Sequence, residues 1–337
     1  MKKISNRIFL LSLLVIVVAG CQKEIPQKNN SLQNVISKVS DKSDYYSDGK
    51  MLIFKDSEIY SKLVSHELDN NLRLAFEKTI LEMEHLTYFE KIKKDAVQDL
   101  IEDDFLSKIL NEDRIVQIGP FIYKISLIDS SVFVLPAENI EEYGDLVNEN
   151  IENENIRVYS TFENVIELAE SGVESQKKSL FCSDKYAKAR YESSCGNSIY
   201  IGGLTSLVFD CRIRYAAAGI FFNLKAWANT FEHGLGSTLE SDQLVYYSNT
   251  NVNTTLRIDA ERKYKERCSA ETSWYWWSTS GNGAGNGITA QSYQGSKGLN
   301  KYWLKVNFYF WNGTNWVRIP PAGDWYPGYH RGITNGY

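Results

Sequence analysis

Aromatic and hydrogen-bonding side chains alternate near the end of this chain in a pattern that could bind sugars. In the run 302–311, the aliphatic and phenylalanine residues alternate with the others, so a β-strand here would present two different sides. Indole rings stack on the C–H faces of sugars, while amide and ammonium groups bond hydroxyl or acidic groups. The side away from the apolar core is predicted to carry Trp303, Lys305, Asn307 and Trp311, and a strand within 220–231 is predicted to add Asn223 and Trp227.

The same residues have a structural explanation. Large apolar patches are seldom left bare on a protein surface. The predicted face could therefore be covered by the first part of the chain or by the Trp- and Pro-rich C-terminal tail. Exposure of Trp227, Trp303 and Trp311 distinguishes a binding surface from a covered sheet.

Other chemical signatures are weak. The four histidines are isolated without ligand spacing, so we expect no metal site. No Gly-x-Ser-x-Gly nucleophile elbow occurs, so a hydrolase of that type lacks its nucleophile signature. We expect no cofactor. Two carboxylate pairs could each share a strand face and flank a glycosidic bond, although solvated surface charge explains them better. These pairs are Glu240/Asp242 and Asp259/Glu261.

The elements that would position these residues are β-strands. Apolar and charged residues alternate through 209–215 and 256–265, and Asn312-Gly313 between two β-rich runs is a strong hairpin signal, with both turn positions expected at positive φ. Several strands separated by turns indicate an antiparallel sandwich. We predict that residues 176–337 form a Trp-rich antiparallel β-sandwich domain.

The preceding region has a different pattern. Apolar residues at three- and four-residue spacing from Ile59 onward predict helices, and a helix is also predicted through Val165–Ala169. Three β-rich runs at 115–118, 121–125 and 132–135 predict an antiparallel meander. Residues 51–175 are therefore expected to form a small acidic α+β domain, and the chain as a whole belongs to the α+β class.

Charge divides the chain in the same way. Residues 1–180 contain 21 basic and 31 acidic residues, whereas 181–337 contain 16 and 11, together with all eight tryptophans. Opposite net charges could help the two parts to dock, although solvated surfaces explain them equally well. We expect no nucleic-acid partner.

The N-terminus has the pattern of an exported protein. Basic residues precede an apolar run, 8–18, that is too short to span a bilayer, and the run ends at Val18-Ala-Gly-Cys21. This pattern resembles a bacterial lipoprotein signal peptide, residues 1–20, with a lipobox. The resemblance implies that Cys21 is lipidated and that the protein is anchored in the outer membrane, on its periplasmic or its surface side. The polar residues 21–50 predict a flexible tether.

Four more cysteines lie in the second part: Cys182, Cys195, Cys211 and Cys268. An even number in an exported chain indicates a disulfide set rather than metal ligands. Three connectivities are possible. Because Cys211 and Cys268 share the apolar parity of their strands, we expect those two to pair, which leaves Cys182 with Cys195.

The predicted meander also carries a family resemblance. The block Asn111–Lys124, NEDRIVQIGPFIYK, followed by Val132–Leu135, resembles a segment of uncharacterised lipoproteins of Bacteroidetes, in which glycine is usual at the position of Arg114. The resemblance implies kinship and location. It transfers no catalytic residue, because such proteins have no established activity.

These features favour a non-enzymatic, membrane-anchored lipoprotein that binds a glycan or an envelope protein through its β-sandwich. One alternative is a glycan-active hydrolase that uses a carboxylate pair, and another is a structural subunit of an envelope assembly. A hydrolase requires two carboxylates facing each other across a cleft, about 5–10 Å apart.

Overall fold

The chain forms three β-sheets and six α-helices within the residues that the structure describes. This computed structural model describes residues 44–95, 103–126, 129–172, 186–188, 190–195, 198–200, 205–234, 254–283, 287–319 and 331–335. The helices are α1 (Ser57–Val64), α2 (Asn70–Leu81), α3 (Tyr88–Asp95), α4 (Asp104–Ile109), α5 (Tyr143–Val147) and α6 (Val165–Ser171), and a 3-10 helix spans Ala137–Glu142. The strands are β1 (Tyr45–Ser47), β2 (Leu52–Phe54), β3 (Ile115–Ile118), β4 (Phe121–Ser126), β5 (Ser131–Pro136), β6 (Arg157–Ser160), β7 (Arg190–Cys195), β8 (Ser198–Tyr200), β9 (Thr205–Ala217), β10 (Phe222–Gly234), β11 (Thr255–Glu266), β12 (Tyr275–Asn282), β13 (Ile288–Gly295), β14 (Leu299–Trp311), β15 (Trp316–Arg318) and β16 (Arg331–Asn335).

The first sheet contains β1 to β6, and their spatial order is their chain order. Neighbouring strands are antiparallel except β2 and β3, which are parallel and are separated in the chain by α1 to α4. The predicted meander is confirmed as β3, β4 and β5. Its β-branched and aromatic side chains form much of the core, and Ile122, Tyr123 and Ile125 have no exposed surface. The α+β class is therefore confirmed.

Arg114 has a left-handed backbone conformation in the turn before β3, with φ 65°. Glycine adopts this conformation at the lowest cost. The Asn111 side chain stabilises the turn, because its Oδ1 accepts hydrogen bonds from Asp113 N (3.0 Å) and Ile115 N (2.8 Å). Arg114 therefore occupies a backbone conformation that glycine would adopt at lower cost.

The second part is a sandwich of two antiparallel sheets. One sheet has the order β13-β10-β9-β7, with β8 also paired to β9, and we call it the β10 sheet. The other has the order β12-β11-β14-β15, with β16 also paired to β14, and we call it the β14 sheet. Alternate residues of both sheets pack into one core, as strand parity predicts. This core includes Leu304, Val306, Phe308 and Phe310 of β14, and Phe222, Leu224, Ala226 and Ala228 of β10.

The predicted hairpin between β14 and β15 is confirmed, but its turn is longer than two residues. Trp311 pairs with Trp316, which leaves residues 312–315 as the loop. Within this loop only Gly313 has a positive φ, 95°. The Asn312 side chain caps the loop by accepting hydrogen bonds from the backbone N–H groups of residues 314 and 315. The expectation of positive φ at both Asn312 and Gly313 is therefore wrong.

The first part packs against the outer face of the β10 sheet. The Tyr60 hydroxyl of α1 donates to Ile220 O at 3.2 Å, and Lys225 Nζ lies 2.9 Å from an Asp103 carboxylate oxygen. This ion pair joins the acidic part to the basic part. All described residues belong to one compact unit, while the domain limits 51–175 and 176–337 stay a prediction.

Gly219, in the turn between β9 and β10, lies at the tightest point of this contact. Its φ is 76°, and an added Cβ would lie 2.6 Å from a methyl of Val132 and 2.8 Å from a methyl of Val165. Its backbone N–H donates to Thr161 O at 2.7 Å, and its carbonyl accepts from Val165 N at 3.0 Å. A larger residue has no space here without displacing the first sheet or α6.

Candidate functional sites

The outer face of the β14 sheet carries a row of aromatic side chains. Register places Trp303 opposite Lys263, and Tyr309 opposite Arg257 on β11 and Arg318 on β15. Register partners project to the same side of a sheet, so these residues share one surface. We call this surface the aromatic face. It comprises Trp274, Trp276, Trp303, Tyr309, Trp311 and Trp316, together with the charged residues between them.

The aromatic face is open to solvent. Trp303 and Trp311 are 37% and 39% exposed, and Trp276 is 63% exposed. In the part of the chain that the structure describes, α1 and α4 pack on the opposite, β10 sheet instead. Of Trp227, Trp303 and Trp311, whose exposure distinguishes a binding surface from a covered sheet, the last two are thus exposed on the same face.

The rings form two edge-to-face pairs, one near the middle of β14 and one at its C-terminal end. The centroids of Trp274 and Trp303 are 5.2 Å apart, and those of Trp311 and Trp316 are 5.4 Å apart. Residues 303 and 311 are separated by about 27 Å along an extended strand. This spacing suits an extended chain ligand better than a single small molecule.

Basic groups outnumber carboxylates on the aromatic face. All three carboxylates are paired with neighbouring cations: Asp259 lies 3.1 Å from Arg257 Nε, Glu261 lies 3.8 Å from Lys305 Nζ, and Glu271 pairs with Lys263. Excess positive charge attracts anionic ligands and accelerates their association. The basic residues on this face are Arg257, Lys263, Lys265, Lys301, Lys305 and Arg318, and the acidic residues are Asp259, Glu261 and Glu271.

A separate cleft of about 510 Å³ lies on the outer face of the β10 sheet, beside α4. We call it the Trp227 cleft. Trp227 is half-buried, and its register partners are Arg212 on β9 and Thr289 on β13. The cleft is lined by Asp103, Asp104, Phe105, Arg212, Lys225, Trp227, Asn229, Thr289, Gln291 and Gln294.

The structure divides the six predicted ligand-binding residues between two surfaces. Trp303, Lys305, Asn307 and Trp311 lie together on the aromatic face, whereas Trp227 lies in the cleft on the other sheet. Asn223 is only 1% exposed, and its side-chain amide donates to Asp103. The single face predicted from strand parity is therefore not formed, because β10 and β14 belong to different sheets. At Asn223 the alternative interpretation, a sheet covered by the first part, is the correct one.

Sequence reasoning missed part of the aromatic face. Trp274, Trp276 and Trp316 were not predicted to contribute, although each lies beside a predicted residue. The run Trp274-Tyr-Trp-Trp277 was the available signal, since three of its four residues are tryptophan. Its assignment to an edge strand, β12, would have placed alternate rings on the same side.

The carboxylate pair Asp259/Glu261 lies on the open aromatic face. Asp259 also accepts a hydrogen bond from the Ser278 hydroxyl at 2.7 Å. Both carboxylates therefore form part of a network with hydroxyl and basic groups on one surface. The other pair, Glu240/Asp242, lies outside the described residues.

Cys211 and Cys268 are each disulfide-bonded, but they lie at different levels of the sandwich. Tyr215, four residues from Cys211, already reaches the end of the sheet, where its hydroxyl accepts from Leu299 N at 2.9 Å. Cys268 follows the end of β11 and lies beyond Leu299. Four strand residues span about 13 Å, whereas disulfide-bonded Cα atoms are at most about 7 Å apart. The predicted pairing of Cys211 with Cys268 is therefore wrong.

Backbone register gives Cys211 a different neighbour. Cys195 on β7 is directly opposite Cys211 on β9. Directly opposed Cα atoms of antiparallel strands are about 4.5–5.5 Å apart, which a disulfide can bridge. Register therefore favours a Cys195–Cys211 bond in place of the expected Cys182–Cys195 bond. Cys182 lies outside the described residues.

Two histidines are shielded from solvent: His66 is half-buried at the contact between the parts, and His85 is buried in the first part. His66 Nδ1 lies 3.1 Å from Gln294 O, and its Nε2 lies 3.4 Å from the Tyr264 hydroxyl. Burial lowers the pKa of His66, and the nearby Arg262 guanidinium lowers it further. Burial also lowers the pKa of His85, whose two ring nitrogens have no hydrogen-bond partner among the described residues.

The predicted lipidation site, Cys21, lies outside the described residues, as do the signal peptide and most of the tether. None of the described helices has the length and apolarity that crossing a bilayer requires. Within the described ranges, no group of three or more His, Cys, Asp or Glu side chains is arranged to hold a metal ion.

No protein-family model matches the chain, and no solved structure matches it. A putative type I restriction enzyme MjaIXP endonuclease subunit of Methanocaldococcus jannaschii is 26% identical over 143 residues. The match covers 41% of this chain and only 14% of that protein. A similarity of this extent does not establish a family.

Proposed function

We propose that this protein is a membrane-anchored, extracytoplasmic lipoprotein that binds anionic glycans through the aromatic face. The single observation that carries the proposal is the exposure of Trp303 and Trp311 on one face of the β14 sheet. Exposed indoles offer flat apolar area on a side chain with few rotatable bonds, so little conformational entropy is lost when a sugar ring stacks on them.

The groups between the rings supply the polar part of recognition. Lys305 and Asn307 lie between Trp303 and Trp311 along β14, on the same face. An ammonium group pairs with carboxylate or sulfate, and an amide bonds hydroxyl groups. The excess of basic groups on this face supports an anionic glycan over a neutral one.

The anchor is part of the proposal and is tested separately. If Cys21 is lipidated, the wild-type protein partitions with membranes and Cys21→Ser does not. Cell fractionation followed by detergent-phase partitioning measures this. If the wild type and the variant are both soluble, the lipoprotein assignment is contradicted. Density-gradient separation of the inner and outer membranes tests the outer-membrane localisation.

Glycan binding is tested with defined polysaccharides. The probes are alginate and chondroitin sulfate as anionic chains and dextran as a neutral chain, measured by calorimetry with the full-length protein in a detergent that has no sugar headgroup. Trp303→Ala and Trp311→Ala should each weaken anionic binding about fivefold, since one aromatic contact contributes about 1 kcal/mol. Because both rings are exposed, the variants should keep the wild-type melting temperature within a few degrees.

Tyr46→Ala is the matched control, because it removes a 49% exposed ring from the first sheet. It should bind like the wild type. The proposal is overturned if no anionic polysaccharide binds, or if the Trp303 and Trp311 variants bind as tightly as Tyr46→Ala. Binding should also weaken as salt is raised, since salt screens the basic groups.

A further inference from the structure

The Trp227 cleft has the size of a small-molecule site. Its volume, about 510 Å³, falls within the range of about 300–1,000 Å³ that such sites occupy. Strands β9, β10 and β13 form its floor, and the start of α4 forms one wall. It therefore lies on a rigid sheet and is bounded by a second element.

The cleft presents an indole held in place by cations. Lys225 Nζ and the Arg214 guanidinium lie 5.4 Å and 5.7 Å from the centre of a Trp227 ring. Arg214 and Lys225 are register partners, so both cations sit on the sheet two residues from Trp227 toward the start of β10. Contacts of this kind favour one orientation of the indole before any ligand arrives.

The charges of the cleft are balanced. Lys225 pairs with Asp103 at 2.9 Å, and Arg212 Nε pairs with Asp210 at 2.9 Å. Asp104, which is exposed, adds a carboxylate at the rim. An anionic ligand therefore meets cations that already have partners, together with an additional negative charge.

The remaining lining groups include both hydrogen-bond donors and hydrogen-bond acceptors. Thr289 carries an exposed hydroxyl. Gln291 Nε2 already donates to Leu224 O and Tyr293 O, so this amide offers its oxygen as an acceptor, and Asn229, whose Oδ1 is buried, offers its Nδ2 as a donor. A carboxylate, a hydroxyl and two amides beside one indole match a ligand that has an apolar ring face and several hydroxyl groups.

We propose that the Trp227 cleft binds a neutral sugar residue, with its ring against Trp227 and its hydroxyl groups bonded to Asp104, Thr289, Asn229 and Gln291. This site is distinct from the aromatic face, because it lies on the other sheet and takes a single residue rather than an extended anionic chain. The inference goes beyond the proposed function, and each of the two can fail alone.

The test uses free monosaccharides and the full-length protein in a detergent without a sugar headgroup. Glucose, galactose, mannose and N-acetylglucosamine are the neutral probes, and glucuronate and N-acetylneuraminate are the anionic probes. Saturation-transfer difference NMR titrations give the affinities. At least one neutral sugar should bind saturably, and it should bind more tightly than either anionic sugar.

Two variants locate the site. Trp227→Ala should weaken neutral-sugar binding at least fivefold. Thr289→Arg should weaken it similarly by filling the cleft, and because Thr289 is exposed this variant tests the site even if Trp227→Ala fails to fold. Tyr46→Ala, in the first sheet, controls for loss of an exposed ring.

The inference is overturned if no neutral sugar binds, if an anionic sugar binds more tightly, or if Thr289→Arg binds like the wild type. The inference is also overturned if Trp303→Ala loses monosaccharide binding while Thr289→Arg keeps it, because the sugar then binds at the aromatic face. Normal monosaccharide binding with no polysaccharide binding supports the cleft and contradicts only the proposed function.

Discussion

Replacing Asp103 by alanine tests the contact that joins α4 to the β10 sheet. One Asp103 oxygen accepts from Leu106 N at 3.0 Å and caps α4, and the other pairs with Lys225 Nζ at 2.9 Å. Asn223 donates to the same carboxylate. The substitution therefore removes a helix cap and leaves a lysine and an amide without their acceptor.

Asp103→Ala is expected to lower the free energy of unfolding more than most single substitutions do. Loss of an aspartate cap costs about 1 kcal/mol, and an uncompensated buried charge costs about 3–5 kcal/mol. The Lys225 side chain is 15% exposed, so part of its charge can be solvated through the cleft. We therefore expect Asp103→Ala to lower the free energy of unfolding by about 3–5 kcal/mol in total.

Urea denaturation followed by tryptophan fluorescence and far-ultraviolet circular dichroism measures this loss. Asp104→Ala is the matched control, because Asp104 is the exposed neighbour at the first position of α4 and should cost less than about 1 kcal/mol. The double variant Asp103→Ala/Lys225→Met should be more stable than Asp103→Ala alone, since no unpaired charge remains. If Asp103→Ala and Asp104→Ala unfold at the same urea concentration, the reasoning is refuted.

Three further predictions concern the described core and its contacts. Peptide mapping under non-reducing conditions should recover Cys195 linked to Cys211, because these residues are register partners. The free energy of unfolding should fall as the pH is lowered from 7 toward 5, because burial lowers the pKa of His66 and His85 and the unfolded chain then binds more protons; denaturation at several pH values measures this. Gly219→Ala should lower the free energy of unfolding by about 2–4 kcal/mol, measured by urea denaturation, because a Cβ meets two valine methyls at positive φ.

Each of these predictions has a control. In a His66→Asn/His85→Asn variant the pH dependence should be smaller, and the comparison is needed because burial raises the pKa of Glu266, which acts in the opposite sense. Gly144→Ala, in α5, adds a Cβ where nothing lies within 4 Å, so it should not destabilise. A peptide that links Cys211 to Cys268 would contradict the register argument.

Strand parity predicted which residues face the core and which face outward, but it could not assign strands to sheets. The period of two is visible in the sequence for both β10 and β14, so the orientations of Trp227 and Trp303 were correctly inferred. Pairing between distant strands depends on the whole fold. The same limit explains why the predicted pairing of Cys211 with Cys268 was wrong. Parity indicated that Cys211 points into the core, but it could not give the position of Cys211 along the length of the sandwich.

Strand parity singled out Trp227, but no sequence pattern indicated the cleft around it. Asp103 and Lys225, which meet at its edge, are 122 residues apart in the chain. Each looks like an ordinary surface charge in its own segment. Only the packing of α4 onto the β10 sheet makes one the partner of the other, and that packing follows from apolar contacts elsewhere, such as Phe105 against Phe221.

The back-to-back arrangement of the two sheets has a consequence for valency. The aromatic face and the Trp227 cleft point away from each other, because the shared core lies between their sheets. One short ligand therefore cannot reach both, and if both proposed sites bind, one molecule gains no chelate effect from them. A protein with two opposed sites can instead bridge two separate ligands, so any gain in avidity would come from cross-links between molecules held on the same surface.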